Sequence, residues 1–124
     1  MLFSIDDKPI TDIPLRRQDQ FNIWRSNLAN ADYERVVEAI NKYVDAVPLD
    51  KPFVSSFIPG NSWAGTVYEP LYLACGQSEE QSGWFFGLIV WQVMIDRPED
   101  WMFKVSDKEG DDVLGTTYWR KRQA

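Results

Sequence analysis

Apolar residues recur along the chain at two different spacings, and each spacing predicts a different kind of element. Val36, Val37, Ile40, Val44 and Val47 form a stripe at three- and four-residue intervals, the mark of a helix with one buried face. Glu34, Glu38 and Lys42 fall on the opposite face. Glu38 and Lys42 support the helix by about a few tenths of a kcal/mol, and the like charges of Glu34 and Glu38 oppose it by a similar amount. Asn30 is placed to cap this helix, and Pro48 ends it. Phe21, Trp24 and Leu28 repeat at the same period and predict a helix over 14–28, opening after Thr11-Asp12 with Pro14 in its first turn. Near the C-terminus the period changes to two. Trp101, Phe103 and Val105 alternate with Met102, Lys104 and Ser106, and after the polar loop from Asp107 to Asp112 a second run spans Val113 to Arg120. Together they read as a β-hairpin. Residues 2–5 read as a short strand followed by turn chemistry at Asp6-Asp7-Lys8-Pro9. That strand can pair with the hairpin's edge, since a lone hairpin is marginal in water.

The middle of the chain follows a third pattern. From Pro52 to Ile95 the formal charges are Glu69, Glu79 and Glu80 alone, with no Lys or Arg. Charged residues normally supply the exposed positions of a protein, so this stretch is expected to form the core, with the charged flanks wrapped around it. Phe53 to Ile58 reads as a strand or an extended loop closed by Pro59-Gly60. Thr66-Val67-Tyr68-Glu69 matches a capping box, and the apolar run from Leu71 to Cys75 stops at Gly76. Pro70 would then stand at the fourth helical position, so a helix beginning at Pro70 is the alternative start. Ser78-Glu79-Glu80-Gln81 repeats the capping pattern, with acids where the helix dipole favours them. Gly83 to Ile95 is apolar on every side, as in a helix buried all round. Ile89, Val90, Val93 and Ile95 are β-branched and admit a central strand instead. The cap, the length and the Asp96-Arg97-Pro98 stop favour the helix. The expected fold is therefore one α+β domain over 1–124: three to four helices, the Trp-rich central one largely buried, against a small antiparallel sheet that contains the C-terminal hairpin.

Composition narrows the chemistry. The chain has 124 residues, a net charge of −6, one cysteine and no histidine. Without histidine the usual Ser–His and Cys–His nucleophile pairs cannot form. Zinc sites built from His and Cys are equally out of reach with Cys75 as the only thiol. No GxGxxG or Walker loop is present to cradle a pyrophosphate. Gly60-Asn61-Ser62-Trp63-Ala64-Gly65 resembles a nucleophile elbow, but its second glycine comes one residue late and no histidine can activate Ser62. The acidic balance argues against binding to nucleic-acid backbones. The N-terminus lacks the basic start and apolar stretch of a signal peptide, and Trp84 to Ile95 is too short to span a bilayer. The expectations are a cytoplasmic protein with no membrane or nucleic-acid partner, no cofactor and no metal.

Several residues invite a functional reading beside a structural one. Glu69, with Trp63, Tyr68 and Tyr72 near it in sequence, can act as an acid or base or clamp a cation with help from the rings. It can equally close the Thr66 capping box or lie on the rim. Gln92 interrupts the apolar helix, and a buried amide must be hydrogen-bonded, to nearby backbone or to a ligand. Gly83 and Gly87, one helical turn apart, allow a close approach between Trp84 and Trp91, by a neighbouring element or by a ligand. Cys75 reads as a small buried hydrophobe. The acids Asp107, Glu109, Asp111 and Asp112 do not have EF-hand spacing and read as a solvated turn. Tyr118-Trp119-Arg120-Lys121-Arg122 places bases after aromatics, a pattern that can contact nucleic acid, though here it is one short tail on an acidic protein.

The block from Phe57 to Thr66, continuing through Tyr68-Glu69-Pro70-Leu71-Tyr72 and Gly83-Trp84-Phe85-Phe86-Gly87-Leu88-Ile89-Val90-Trp91, resembles small bacterial proteins carried on mobile integron-type gene cassettes. The resemblance covers the middle third of the chain and brings no catalytic motif. It implies a compact, oligomeric protein with a ligand or partner site. From the residues themselves, six Trp and five Tyr exceed what a minimal core requires, and such residues are enriched at recognition surfaces. The leading expectation is a small binding or interaction protein, a homodimer or one that meets another protein or a small molecule. Its aromatic-lined site is expected among Trp63, Tyr68, Glu69, Tyr72, Trp91 and Gln92. The alternatives are a carboxylate-only acid/base enzyme, pairing Glu69 with Asp96 or Glu79, and an acidic inhibitor or antitoxin-like protein.

Overall fold

The computed structural model describes residues 1–55, 63–105 and 116–121. Among these, the chain order is β1 (Leu2–Phe3), β2 (Pro9–Ile10), a 3-10 turn (Leu15–Arg17), α1 (Gln18–Ser26), α2 (Asn30–Asp45), β3 (Phe53–Val54), α3 (Glu69–Ala74), α4 (Glu79–Asp96), β4 (Trp101–Lys104) and β5 (Thr117–Arg120). The fold is α+β, with four α-helices and one five-stranded sheet among the described residues, in the order β2-β1-β4-β5-β3.

β4 and β5 form the expected antiparallel hairpin, with Trp101 opposite Arg120 and Phe103 opposite Tyr118. β1 joins its edge as expected, but in parallel, with Leu2 opposite Trp101. The sheet is therefore mixed. The turn read at Asp6-Asp7-Lys8-Pro9 leads into a further strand, β2, paired antiparallel with β1. Its bend is closed by Ser4 N–H to the Lys8 carbonyl and Asp7 N–H to the Ser4 carbonyl, both 2.9 Å. Asp7 sits at φ 63°, a left-handed conformation that aspartate tolerates better than most residues.

Strand alternation sorts the sheet into two faces. Leu2, Phe53, Trp101 and Tyr118 share the inner face and are all buried. Phe53 stacks on Tyr118 at 5.2 Å and meets Trp101 edge-on at 5.6 Å. Above this floor lies α4. From Phe85 to Val90 every residue is buried, and so are Trp91, Val93 and Met94. A helix with no polar side needs neighbours all round, and α4 packs against α1, α2 and α3 and reaches the sheet through Trp91 on Phe103, 4.5 Å between rings. α2 contributes Val36, Ile40 and Val44, the predicted stripe. α1 contributes Trp24, whose ring and that of Phe21 each lie 5.7 Å from Phe85.

Two local expectations need correction. Ala29, not Asn30, occupies the N-cap of α2, with no side-chain cap bond. Asn30 instead accepts from the Arg25 guanidinium at 2.8 Å. α1 begins at Gln18, after the Leu15–Arg17 turn, because the chain leaves Pro14 extended at ψ 130°. The ion-poor middle is also only partly interior. α4, Leu71, Ala74 and Cys75 are buried, whereas Ala64 to Val67 and Gly76 to Gln81, apart from half-buried Ser78, are exposed without carrying Lys or Arg.

Arg97, just past α4, ties three elements together. Its guanidinium donates to Asn41 Oδ1 at 2.8 Å and pairs with Asp45, both on α2. It also pairs with Glu99, before β4, at 2.7 Å. No helix among the described residues is long and apolar enough to cross a membrane.

Candidate functional site

The short helix α3 is shaped by capping at both ends. At its start, Thr66 turns back on Trp63: its N–H and hydroxyl both donate to the Trp63 carbonyl, at 3.3 and 2.8 Å. The same hydroxyl accepts from Tyr68 N–H at 3.1 Å. Gly65 takes φ 73°, and its N–H donates to Glu69 Oε2 at 2.6 Å. The helix begins at Glu69, which leaves Pro70 in the first turn, where its missing N–H costs no helical bond. The observed start falls one residue before the later of the two expected starts, Pro70. Glu69 still closes a capping-box-like return, one residue further back than the sequence pattern suggests.

At its other end α3 closes with a Schellman turn. Gln77 N–H reaches the Tyr72 carbonyl at 2.8 Å and Gly76 N–H reaches Leu73 at 3.1 Å, with Gly76 and Gln77 both left-handed. Ser78 follows at once as the N-cap of α4, accepting from Gln81 N–H at 3.2 Å. With no slack between the two helices, Glu79 in the first turn of α4 comes back beside α3.

These two turns enclose a cleft of about 280 Å³ lined by Trp63, Glu69, Tyr72, Leu73, Gln77 and Glu79. No basic residue lines it among the described residues. Trp63 is anchored from below by an edge-on contact with Phe86 at 6.3 Å. Leu73 is 57% exposed beside the opening. Two carboxylates and two ring systems thus share one concave surface, with an apolar side chain at its margin. Such a site attracts a cation through charge and through the ring faces, and repels anions.

The six residues expected at the site divide into two groups. Trp63, Glu69 and Tyr72 line the cleft. Tyr68 lies beneath it, buried and edge-on to Phe86 at 5.2 Å, and burial raises the pKa of its phenol. Trp91 and Gln92 are remote, about 18 Å further along α4 at 1.5 Å per residue. The Trp91 indole N–H donates to the Asp12 carbonyl at 3.1 Å. Gln92 bonds neither backbone nor cleft: its amide donates to both Asp96 carboxylate oxygens, at 3.1 and 3.2 Å. Of the two carboxylate pairs considered, Glu69 and Glu79 share the cleft, while Asp96 stands apart with Gln92. Leu73 and Gln77 were not anticipated. Their signal was the close succession of Gly76 as helix stop and Ser78 as helix start.

Cys75 is buried, and burial pushes its thiol up to about 11, against a smaller opposing effect from the Ser82 hydroxyl. It is a packing residue. No group of three or more His, Cys, Asp and Glu among the described residues could hold a metal ion. Ser62 and the acidic turn from Asp107 to Asp112 lie outside the described residues. No protein-family model, curated protein or solved structure matches the chain.

Proposed function

We propose that the protein is a small binding protein whose cleft between α3 and α4 receives an organic cation, an alkylammonium or guanidinium group. The observation that carries this reading is the lining itself: Glu69 and Glu79 with Trp63 and Tyr72, and no Lys or Arg among the described residues. A cation there meets carboxylates that make charge-assisted hydrogen bonds, worth roughly 1.5–3 kcal/mol each. The ring faces add about 0.5–2 kcal/mol. Leu73 offers apolar surface to the carbon chain that carries the charge. Shape also supports the reading, since a cavity of this size accepts one side-chain-sized group and not a large cofactor. The cation can be a free amine or the Lys or Arg side chain of a protein partner, and the −6 charge of the chain favours either.

Isothermal titration with agmatine, a diamine and a quaternary amine tests the proposal. At least one is expected to bind, with Glu79→Gln weakening it about tenfold, the loss of one charge-assisted contact. Absence of heat and of any thermal shift across the cationic series would remove the reading.

The second reading is acid/base catalysis by the same two carboxylates, favoured by their sharing one cleft. It requires their pKa values to lie far apart. Titration of the two side chains by carbon-detected NMR decides it, and closely similar values dispose of it.

A further inference from the structure

A second cleft, of opposite charge, lies where β3 stops short of β5. β3 sets Phe53 against Tyr118 and Val54 against Thr117. The same register, continued, would set Pro52 against Trp119 and Lys51 against Arg120. β3 starts only at Phe53, so these two pairs do not form. The preceding chain turns on itself instead, with Lys51 N–H donating to the Pro48 carbonyl at 3.0 Å. The gap left beside β5 is a cleft of about 660 Å³, lined among others by Lys51, Pro52, Trp119, Arg120 and Lys121, with Asp50 as the one acid.

The floor of this cleft is bare strand edge. Lys121 N–H donates across to the Asp100 carbonyl on the β4 side at 2.9 Å. Alternation of the antiparallel ladder therefore turns the Arg120 N–H the other way, toward the cleft. Two of the cations around it are held in place. The Arg120 guanidinium lies 5.4 Å over the Trp101 ring, and the Lys121 ammonium lies 4.0 Å over Phe3 while pairing with Asp7. A ring face orients a cation without neutralising it. No carboxylate among the described residues pairs with Arg120 or Lys51. With Lys121 balanced by Asp7, Lys51 and Arg120 stand against Asp50 alone, a local excess of positive charge on a chain of net charge −6.

We propose that this cleft binds a small organic anion: a phosphate or carboxylate head met by Lys51 and Arg120, with a flat apolar body against Trp119 and Pro52. The strip of Trp119, Arg120 and Lys121 thereby serves one head group, not the backbone of a polymer. The preset Arg120 guanidinium and the backbone donor reduce the ordering that binding requires. The site is independent of the cleft beside α3.

Calorimetric titration with four probes tests the proposal: adenosine monophosphate, benzoate, inorganic phosphate and adenosine. The two ring-bearing anions separate a phosphate from a carboxylate head. The other two supply the head alone and the ring alone. At least one ring-bearing anion is expected to bind, at least about tenfold tighter than phosphate or adenosine, and more weakly as salt is raised. Lys51→Glu, on an exposed residue, is expected to weaken that binding at least about tenfold with the unfolding midpoint unchanged, whereas Glu79→Gln leaves it unaltered. Silence from both ring-bearing anions, equal affinity for inorganic phosphate alone, or indifference to Lys51→Glu would each overturn the assignment.

Discussion

Replacing Arg97 with methionine removes the charge that joins α2, α4 and β4 while keeping most of the side chain's apolar length. The Arg97 side chain is 13% exposed and Glu99 19%, so the variant strands a mostly covered carboxylate. Breaking a fully buried pair from one side costs roughly 3–5 kcal/mol. Partial access of water to Glu99, and the 66% exposure of Asp45, lower the expected loss to about 2–3 kcal/mol. For a chain of this length each kcal/mol corresponds to about 3–5 °C in Tm, so a fall of roughly 6–15 °C is expected. The loss should also depend on pH, with a definite sign. Burial alone would raise the pKa of Glu99, but hydrogen bonds to Arg97 and its charge outweigh burial and hold the carboxyl below its ordinary 4.5. The folded state then binds fewer protons than the unfolded state below that value. The contribution is complete above pH 4.5 and is lost as pH falls through the folded pKa. In Arg97→Met the main lowering influence is gone while burial and the weaker hydrogen bonds remain, so the dependence shrinks. Urea unfolding of both proteins from pH 7 to pH 3.5 measures the difference. The gap between them should narrow on acidification. A gap below about 1 kcal/mol at pH 7, or one that does not change with pH, would refute the reasoning.

Other positions give independent checks. The Tyr118 ring is fully buried, its hydroxyl finds no hydrogen-bond partner among the described residues, and burial holds its pKa far above 10. Tyr118→Phe is therefore expected to stabilise the protein by about 1 kcal/mol in chemical denaturation, and a destabilisation of that size would reveal a missed partner. Ser78→Ala removes the α4 cap bond and should cost about 1 kcal/mol by the same assay, with Ser78→Asp close to neutral; equal losses in both variants would show that the cap bond is not the cause. Cys75, with its thiol at about 11, should react with iodoacetamide at pH 8 at least about a hundred times more slowly in the native protein than in denaturant. Comparable rates in the two states would mean that the site opens readily.

What could be read from the residues was whatever depends on near neighbours. The stripe of α2, the Ser78 cap and the alternation of β4 and β5 are local patterns, each with a local energetic cause. The charge-poor run foretold the burial of α4 for the same reason, since a helix without a polar face has only the interior to occupy. It overstated the case for Ala64 to Val67 and Gly76 to Gln81, because the turns that start and end α3 and α4 place small, polar and acidic residues in water without any Lys or Arg. β2 escaped notice because two residues, one of them Pro9, carry no usable alternation.

The cleft beside α3 was half legible. Trp63, Glu69 and Tyr72 are near in sequence and remain near in space, whereas Trp91 and Gln92 were grouped with them only because they share the apolar run. On a helix rising 1.5 Å per residue, a dozen positions carry a side chain to the far end of the molecule. Glu79 joins the cleft because the α3–α4 turn is tight, and the basic cleft exists because the Lys51 N–H turns back to the Pro48 carbonyl and leaves β5 unpaired there. Both depend on how separate segments meet, which is set by packing over the whole domain. The chain's own order determined which elements form; the contacts between them decided which side chains face one another, because distance in space follows the fold and not the spacing of residues.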